Sequence, residues 1–277
     1  MGSIKGMLKV GVIGAGGIAQ NIHLPCLAEM EGVHLAAVCD LNARRAEDVA
    51  ARFNIPKSYS QWKEMLAAEK LDAVFVLVWT EQSYRLVAGC IEAGIPVFAE
   101  KPARITLYQS KSLLSLAEQH HALVQVGLNR RFIPLLAHIL EIFKANSEIT
   151  QIRGTIFKHS TPAFYGGCTS TYVCDVIHVV NAMCFIAGGT VAAGAMLAAR
   201  YGGCAEENAW NAVFRFRNGI MGVMKSNYAT DGRVHDFEIH GPGASAFLNL
   251  GFGGSNCEAT LLFHQGHGTH SLSAAGA

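Results

Sequence analysis

Three groups of residues in this chain have the types and spacing to do chemistry. The first is Gly14-Ala15-Gly16-Gly17-Ile18-Ala19, a Gly-x-Gly-x-x-Ala turn that follows the apolar run Met7-Leu8-Lys9-Val10 and opens a helix-like segment. In that setting Gly14 permits a tight turn, Gly16 lets the backbone approach a pyrophosphate, and Ala19 lets helix and strand pack closely. The anion would rest on unpaired N–H groups at the positive end of the helix. The second group is Glu100-Lys101-Pro102, directly after the apolar run Val97-Phe98-Ala99. Open α/β sheets bind ligands at the carboxyl ends of their strands, and Pro102 restricts Lys101 to extended geometry. Taken alone, such a lysine reads as a solvated charge. The third is Asp175 and His178, i and i+3 on a helix predicted from Tyr172 to Ile186, and so on one helix face. A carboxylate there can orient a histidine, and an imidazole is suited to moving a proton near neutral pH. Without context, the same histidine reads as a core residue satisfied by the backbone.

The elements between these groups supply the context. After the first helix comes Val33-His34-Leu35-Ala36-Ala37-Val38-Cys39, ending in Asp40, 21 residues beyond Ala19. That is near the spacing at which a carboxylate takes the ribose hydroxyls of a dinucleotide. Asp40 also suits the start of the next helix, Asn42-Ala43-Arg44, and both readings can hold together. Ala46, Val49, Ala50 and Phe53 then recur at i, i+3, i+4 and i+7, one face of a helix. Leu71 to Val78 is an apolar run suited to a central parallel strand. A helix bearing Tyr84, Leu86, Val87, Cys90 and Ile91 stops at Gly94, with Pro96 beyond it. Thr106 to Gln109 has the form of a capping box, and Ala122 to Val126 is the last strand. Alternating strands and helices predict a doubly wound parallel sheet over residues 1–126.

From about residue 150 the rhythm changes. Strands are expected at Thr150–Lys158, Val191–Arg200, Ala209–Phe216, Ile220–Tyr228, Val234–His240 and Ala244–Leu250, with a tight hairpin at Arg217-Asn218-Gly219. Residues 127–277 therefore read as an α+β domain on a mostly antiparallel open sheet. No closing strand or helix is evident in the Gly/Ser/Ala-rich tail. One face of that sheet should meet helices, and the other should expose enough apolar surface to seat a second copy, giving a dimer or tetramer.

Composition excludes several classes. With 22 basic and 21 acidic residues the net charge is +1, so no footprint for nucleic acid is present. The longest apolar stretches, such as Ala73 to Trp79, fall far short of a membrane span. The first residues carry no signal-peptide hydrophobic region, and Gly6 at position six argues against myristoylation. The eight cysteines form no C-x-x-C pair, which fits buried free thiols, as expected for Cys39 and Cys90, and a cytoplasmic location. His264, His267 and His270 lie amid Gly and Ser without acidic or thiol partners, so no metal is expected.

Together these pieces resemble the Gfo/Idh/MocA oxidoreductase family (glucose–fructose oxidoreductase, inositol dehydrogenase, rhizopine catabolism). The matching motifs are Gly11 to Ala19, Cys39-Asp40, Ala93-Gly94-Ile95-Pro96-Val97, Glu100-Lys101-Pro102 and Val126 to Phe132. Tyr172 to Asn181 resembles the family's helix bearing an aspartate and a histidine. The resemblance implies hydride transfer between a nicotinamide cofactor and a hydroxyl or carbonyl carbon of a sugar, cyclitol or related polyol. It implies catalytic roles for Lys101, Asp175 and His178: His178 as acid/base, Lys101 as electrostatic partner, and Asp175 as orienter or substrate acceptor. Cofactor contacts are expected from Gly14, Gly16, Gly17, Ile18, Asp40, Thr80, Glu100 and Lys101. Arg130, Lys158, Tyr172 and Asn181 are expected to bind substrate, with His159, Tyr165 and His235 as further polar groups. The chain departs from the pattern in spacing Asp175 and His178 by three rather than four. It also has Asn181 where an acid is frequent, Trp79 where a proline is frequent, and Ser83 where a histidine is common. Trp79 could border the nicotinamide or simply pack.

Asp40 can accept from both ribose hydroxyls and would repel a 2′-phosphate, which favours NAD; Arg44 and Arg45 could offset that repulsion, so NADP stays possible. Two other readings remain at this point. One is a non-catalytic dinucleotide or ligand sensor on the same fold. The other is an enzyme of this family acting on a non-sugar substrate.

Overall fold

A computed structural model of the chain describes residues 6–103, 106–159, 169–251, 257–265 and 268–275, with backbone alone for 265 and 268–275. It divides into two compact units, Met1–Gly127 and Leu128–Ala277.

The first unit carries six strands: β1 (Leu8–Ile13), β2 (Val33–Cys39), β3 (Lys57–Tyr59), β4 (Ala73–Val76), β5 (Val97–Ala99) and β6 (Val124–Val126). All pair in parallel, in the order β3-β2-β1-β4-β5-β6. Alternation along each strand sends side chains to two separate cores. Val10, Val12, Leu35 and Val38 pack with α1 (Leu24–Glu29) and α2 (Ala43–Arg52). Ile13, Ala37, Cys39, Val74 and Val76 pack with α3 (Trp62–Ala68), α4 (Thr80–Glu92) and α5 (Leu107–Gln119). Helices on both faces of a parallel sheet make the doubly wound architecture that the alternating pattern implied. The local signals hold as well. The Asn42 side chain accepts the Arg45 N–H at the start of α2, Thr106 and Gln109 close a reciprocal capping box on α5, and Gly94 ends α4 with φ +71°. Strand order reverses between β1 and β4, and the crevice at that reversal opens beyond the end of β1, at Gly14.

Among the described residues, the second unit has α6 (Pro134–Asn146), α7 (Ile177–Ala187) and eight strands. These are β7 (Gln151–His159), β8 (Val191–Ala199), β9 (Ala209–Phe216), β10 (Met221–Asn227), β11 (Ala229–Gly241), β12 (Ala244–Asn249), β13 (Glu258–Gln265) and β14 (Gly268–Ala275). Their order is β14-β13-β12-β11-β7-β10-β9-β8. Only β7 and β10 pair in parallel; the other neighbours are antiparallel. Helices α6 and α7 share one core with the inner side of the sheet. Gly154 on β7 explains the close seat of α7, because a Cβ there would stand 2.7 Å from Val179 Cγ1 and 2.9 Å from Met183 Sδ.

Three expectations are corrected. The tail is not structureless: β13 and β14 extend the sheet by two strands. Ala259 and Leu261 on β13 are buried, but Leu262-Phe263 breaks the period-two pattern, and the small residues of β14 take their conformation from pairing rather than propensity. The three-residue strand β3 was not expected. The helix predicted from Tyr172 begins instead as a π-helical turn, Tyr172–Val176, and only then becomes α7. Regular i, i+3 spacing therefore does not describe Asp175 and His178.

Candidate active site

Beyond β1 the chain turns at Gly14, with φ +98°. Here the permissiveness of glycine is required twice over. The backbone lies in the left-handed half of φ space, and a Cβ would stand 2.4 Å from the Leu77 carbonyl oxygen. At Gly16, by contrast, a Cβ would meet nothing within 4 Å, so that side of the loop is open to a ligand. The chain is helical from Gly17 onward, through a π-helical turn, Ala19–His23, into α1. Gly17 and Ile18 are exposed. The Asp40 carboxylate accepts the Ala15 N–H at 2.9 Å and the Asn42 N–H at 2.9 Å, which locks the end of β2 to the glycine turn. A carboxylate offers about four acceptor sites, so capacity for ribose hydroxyls remains. Next to this acid lies a cavity of about 280 Å³, lined by Gln20, Asn42, Arg44, Arg45, Asp48, Val49 and Arg52. The open glycine loop and the anchored acid fit a dinucleotide whose chemistry is to accept or give up hydride.

At the end of β5 the Glu100 N–H donates to the Val76 carbonyl at 3.0 Å. Glu100 Oε2 accepts the Lys101 N–H at 2.9 Å, and Glu100 Oε1 meets His23 Nε2 at 2.8 Å. Burial alone would raise the Glu100 pKa, but the hydrogen bonds from His23 and the Lys101 N–H, with both positive charges, hold it below the usual value. The Lys101–Pro102 peptide is cis. Thr80 is buried at the first position of α4, whereas Trp79 just before it is 65% exposed, so packing does not explain that tryptophan.

In the second unit, polar side chains collect at one end of the helix-covered sheet face. Gly154 contacts α7, and Lys158 lies on the same face because strand residues alternate. Its ammonium pairs with the Asp175 carboxylate, and both side chains are nearly buried. Lys158 Nζ also stands 5.2 Å above the Tyr228 ring. Trp210 packs edge-on to Tyr228 at 6.2 Å and against Tyr172 at 5.6 Å, so the ring beside the ion pair belongs to a row of three. His178, at the start of α7, is 7% exposed. His235, opposite Ile156 in the β11–β7 register, is 2% exposed, and among the described residues neither ring nitrogen has a hydrogen-bond partner. Burial first, then the Arg130 and His178 charges, drive its pKa down to about 3, against the pull of Asp175. Burial likewise lowers Arg130 and raises Tyr172. Lys158, Asp175, His178, Arg130 and Tyr172 thus surround one polar patch, with His235 beside them. Asn181 is half-buried on α7 and His159 is exposed. Tyr165, Cys168 and His267 lie outside the described residues, as does the His270 side chain. Among the described residues no group of three His, Cys, Asp or Glu side chains could hold a metal, and no helix is long and apolar enough to cross a membrane.

Two features have no local signature in the sequence. His23 meets Glu100 across 77 residues, and Tyr228, in the link between β10 and β11, meets Lys158 of β7 only because the sheet brings them together.

Residues 8–128 match the model of an oxidoreductase family with an NAD-binding Rossmann fold, Gfo/Idh/MocA. Residues 8–128 thus carry the NAD-binding domain of the Gfo/Idh/MocA oxidoreductase family. It is similar to the protein YceM of Salmonella typhimurium, 30% identical over 200 residues, which cover 70% of this chain and 62% of that one. It is also similar to an inositol 2-dehydrogenase of Serratia proteamaculans, 32% identical over 127 residues, or 45% of this chain and 38% of the relative. The chain thus spans less than two thirds of the length of either relative. Among solved structures, a levoglucosan dehydrogenase in complex with NADH and levoglucosan superposes with a TM-score of 0.84 at 19% identity, covering 97% of this chain and 80% of that one. Both units therefore share the fold of that dehydrogenase, and the first unit matches the family's NAD-binding domain.

Proposed function

We propose that this protein is an NAD-dependent oxidoreductase that exchanges hydride with a hydroxyl-bearing carbon of a sugar, cyclitol or related polyol. The observation that carries the reading is the buried Lys158–Asp175 pair beside His178, on a chain whose first domain binds NAD. Oxidising an alcohol breaks a C–H and an O–H bond; a nicotinamide held by the glycine loop and Asp40 would supply the hydride acceptor, and the proton needs a base. His178 is that base, and it returns the proton in the reverse direction. Asp175, held by Lys158, fixes the electrostatics around the imidazole and accepts from a substrate hydroxyl. The Lys101 ammonium stabilises the developing alkoxide. Arg130, Tyr172, Lys158 and Asn181 hold the other hydroxyls, polar atoms beside aromatic faces being suited to sugars and cyclitols. The inositol and levoglucosan enzymes among the similar proteins support this substrate class.

For the cofactor, Asp40 favours NAD over NADP, while Arg44, Arg45 and Arg52 around the neighbouring cavity offset part of the repulsion of a 2′-phosphate. NADH should bind more tightly than NADPH, but by no more than about tenfold, ~1.4 kcal/mol; tighter NADPH binding would reverse the assignment.

The test is a panel of polyols, sugar acids and inositols with NAD, followed by nicotinamide absorbance. Turnover with one member is expected. His178→Ala should lower it by roughly 10²–10⁴-fold and leave NADH affinity nearly unchanged. Binding of dinucleotide without turnover of any member would point instead to a sensor.

A further inference from the structure

We infer that His23 is a positioning residue that sets the placement of Lys101, acting through Glu100. The inference rests on the proposed role of Lys101. His23 is the last residue of the π-helical turn that starts behind the glycine loop. Insertions of this kind inside helices recur at functional sites because they re-aim a side chain. Here the imidazole is aimed at the carboxyl end of β5, where Nε2 lies 2.8 Å from Glu100 Oε1.

The surroundings hold the ring in that pose. Phe75 of β4 and Phe98 of β5 are register neighbours and stack at 4.8 Å. The His23 ring packs obliquely on both, at 6.1 and 5.4 Å. Across the strand end, Gly127 leaves room for the carboxylate, since a Cβ there would stand 3.3 Å from Glu100 Oε1 and 3.1 Å from Phe98 Cζ. The second carboxylate oxygen accepts the Lys101 N–H. One carboxylate therefore ties the helix behind the pyrophosphate loop to the backbone of the lysine. Both side chains of the pair are more than four-fifths buried, where a charge-assisted hydrogen bond is strong.

Two alternatives for His23 are separable. A packing role needs only a ring or an apolar side chain on Phe75 and Phe98. A positioning role needs a donor at the Nε2 position, which a glutamine amide reaches and a phenylalanine lacks. Full-length His23→Ala, His23→Phe and His23→Gln are compared on the polyol of highest turnover in the panel. His23→Ala and His23→Phe should lose turnover by about 10- to 100-fold, as expected when a reacting group is displaced by about an ångström. NADH affinity should stay within about threefold, and His23→Gln should recover most of the turnover. In parallel, lysines are ¹³C-methylated and the Lys101 signal, assigned by Lys101→Arg, is followed in the NADH complex. It should shift in His23→Ala and His23→Phe and return towards wild type in His23→Gln. Full activity in His23→Ala, recovery by phenylalanine rather than glutamine, or an unmoved Lys101 signal overturns the inference. If no polyol is turned over, the proposed function fails on that count, and the Lys101 signal still decides whether His23 governs the lysine.

Discussion

At the scale of single residues, the structure separates groups whose role is local from groups whose role depends on distant partners. Gly14 belongs to the first kind, and both its φ and the nearby Leu77 carbonyl forbid a side chain. Gly14→Ala should weaken NADH binding by at least about tenfold, ~1.4 kcal/mol, in a fluorescence titration; unchanged affinity would contradict the assignment of the loop. This turn and Asp40 were legible in the sequence because a glycine turn after one strand and an acid at the end of the next form a pattern of residue type and spacing, even though the Leu77 carbonyl and the Ala15 N–H beside them come from other parts of the chain. The partners of Lys158 and Glu100 were not, because strand register and sheet order bring them together. His235 shows the consequence of such burial. Folded, it stays neutral down to about 3, whereas unfolded it protonates near about 6.5. Between these values the unfolded chain binds the extra proton, so stability is full above the upper value and falls as pH is lowered through the window. The slope is up to ~1.4 kcal/mol per pH unit for one group. Chemical denaturation of His235→Leu should show a correspondingly flatter dependence between about pH 6 and pH 4; an unchanged slope would show that His235 is protonated in the fold.

At the scale of elements, the polar patch of the second unit depends on how α7 meets the sheet. Gly154 lets the helix approach β7, and the π-helical turn before α7 delivers Asp175 to Lys158. Removing one partner leaves a buried charge uncompensated. Lys158→Met should therefore destabilise the protein by about 3–5 kcal/mol, and adding Asp175→Leu should restore much of that. Denaturant midpoints of the single and double variants measure the coupling; equal losses in both would show that the pair does not act as a unit. The helices α2, α4 and α5 and most strands were readable in the sequence, since Ala46, Val49 and Ala50, or Val74 and Val76, state a buried face directly, whereas α6 was not read. The π-helical turn was not, because Tyr172 to Val176 has the composition of an ordinary helix. Neither were β13 and β14, where small and polar residues carry little periodic signal.

At the scale of the whole molecule, the second sheet has an outer side opposite its helices. Val213 and Val223 are register partners there, 55% and 44% exposed, and Phe247 on β12 is 40% exposed. We propose a second copy of the chain as the occupant of this side, since exposed apolar side chains on both flanks of the Arg153–Glu238 ion pair favour self-association. Light scattering should give a dimer or tetramer, and Val213→Glu with Val223→Lys should lower the mass; a monomeric wild type would remove the proposal. Hydride transfer itself is checked with deuterium. The polyol with the highest turnover, carrying deuterium on its carbinol carbons, is incubated with NAD, and the NADH formed is weighed by mass spectrometry. Direct hydride exchange predicts reduced cofactor carrying one deuterium, formed by the wild type and nearly lost in His178→Ala. Reduced cofactor without the label, or formed equally well without His178, would contradict the account.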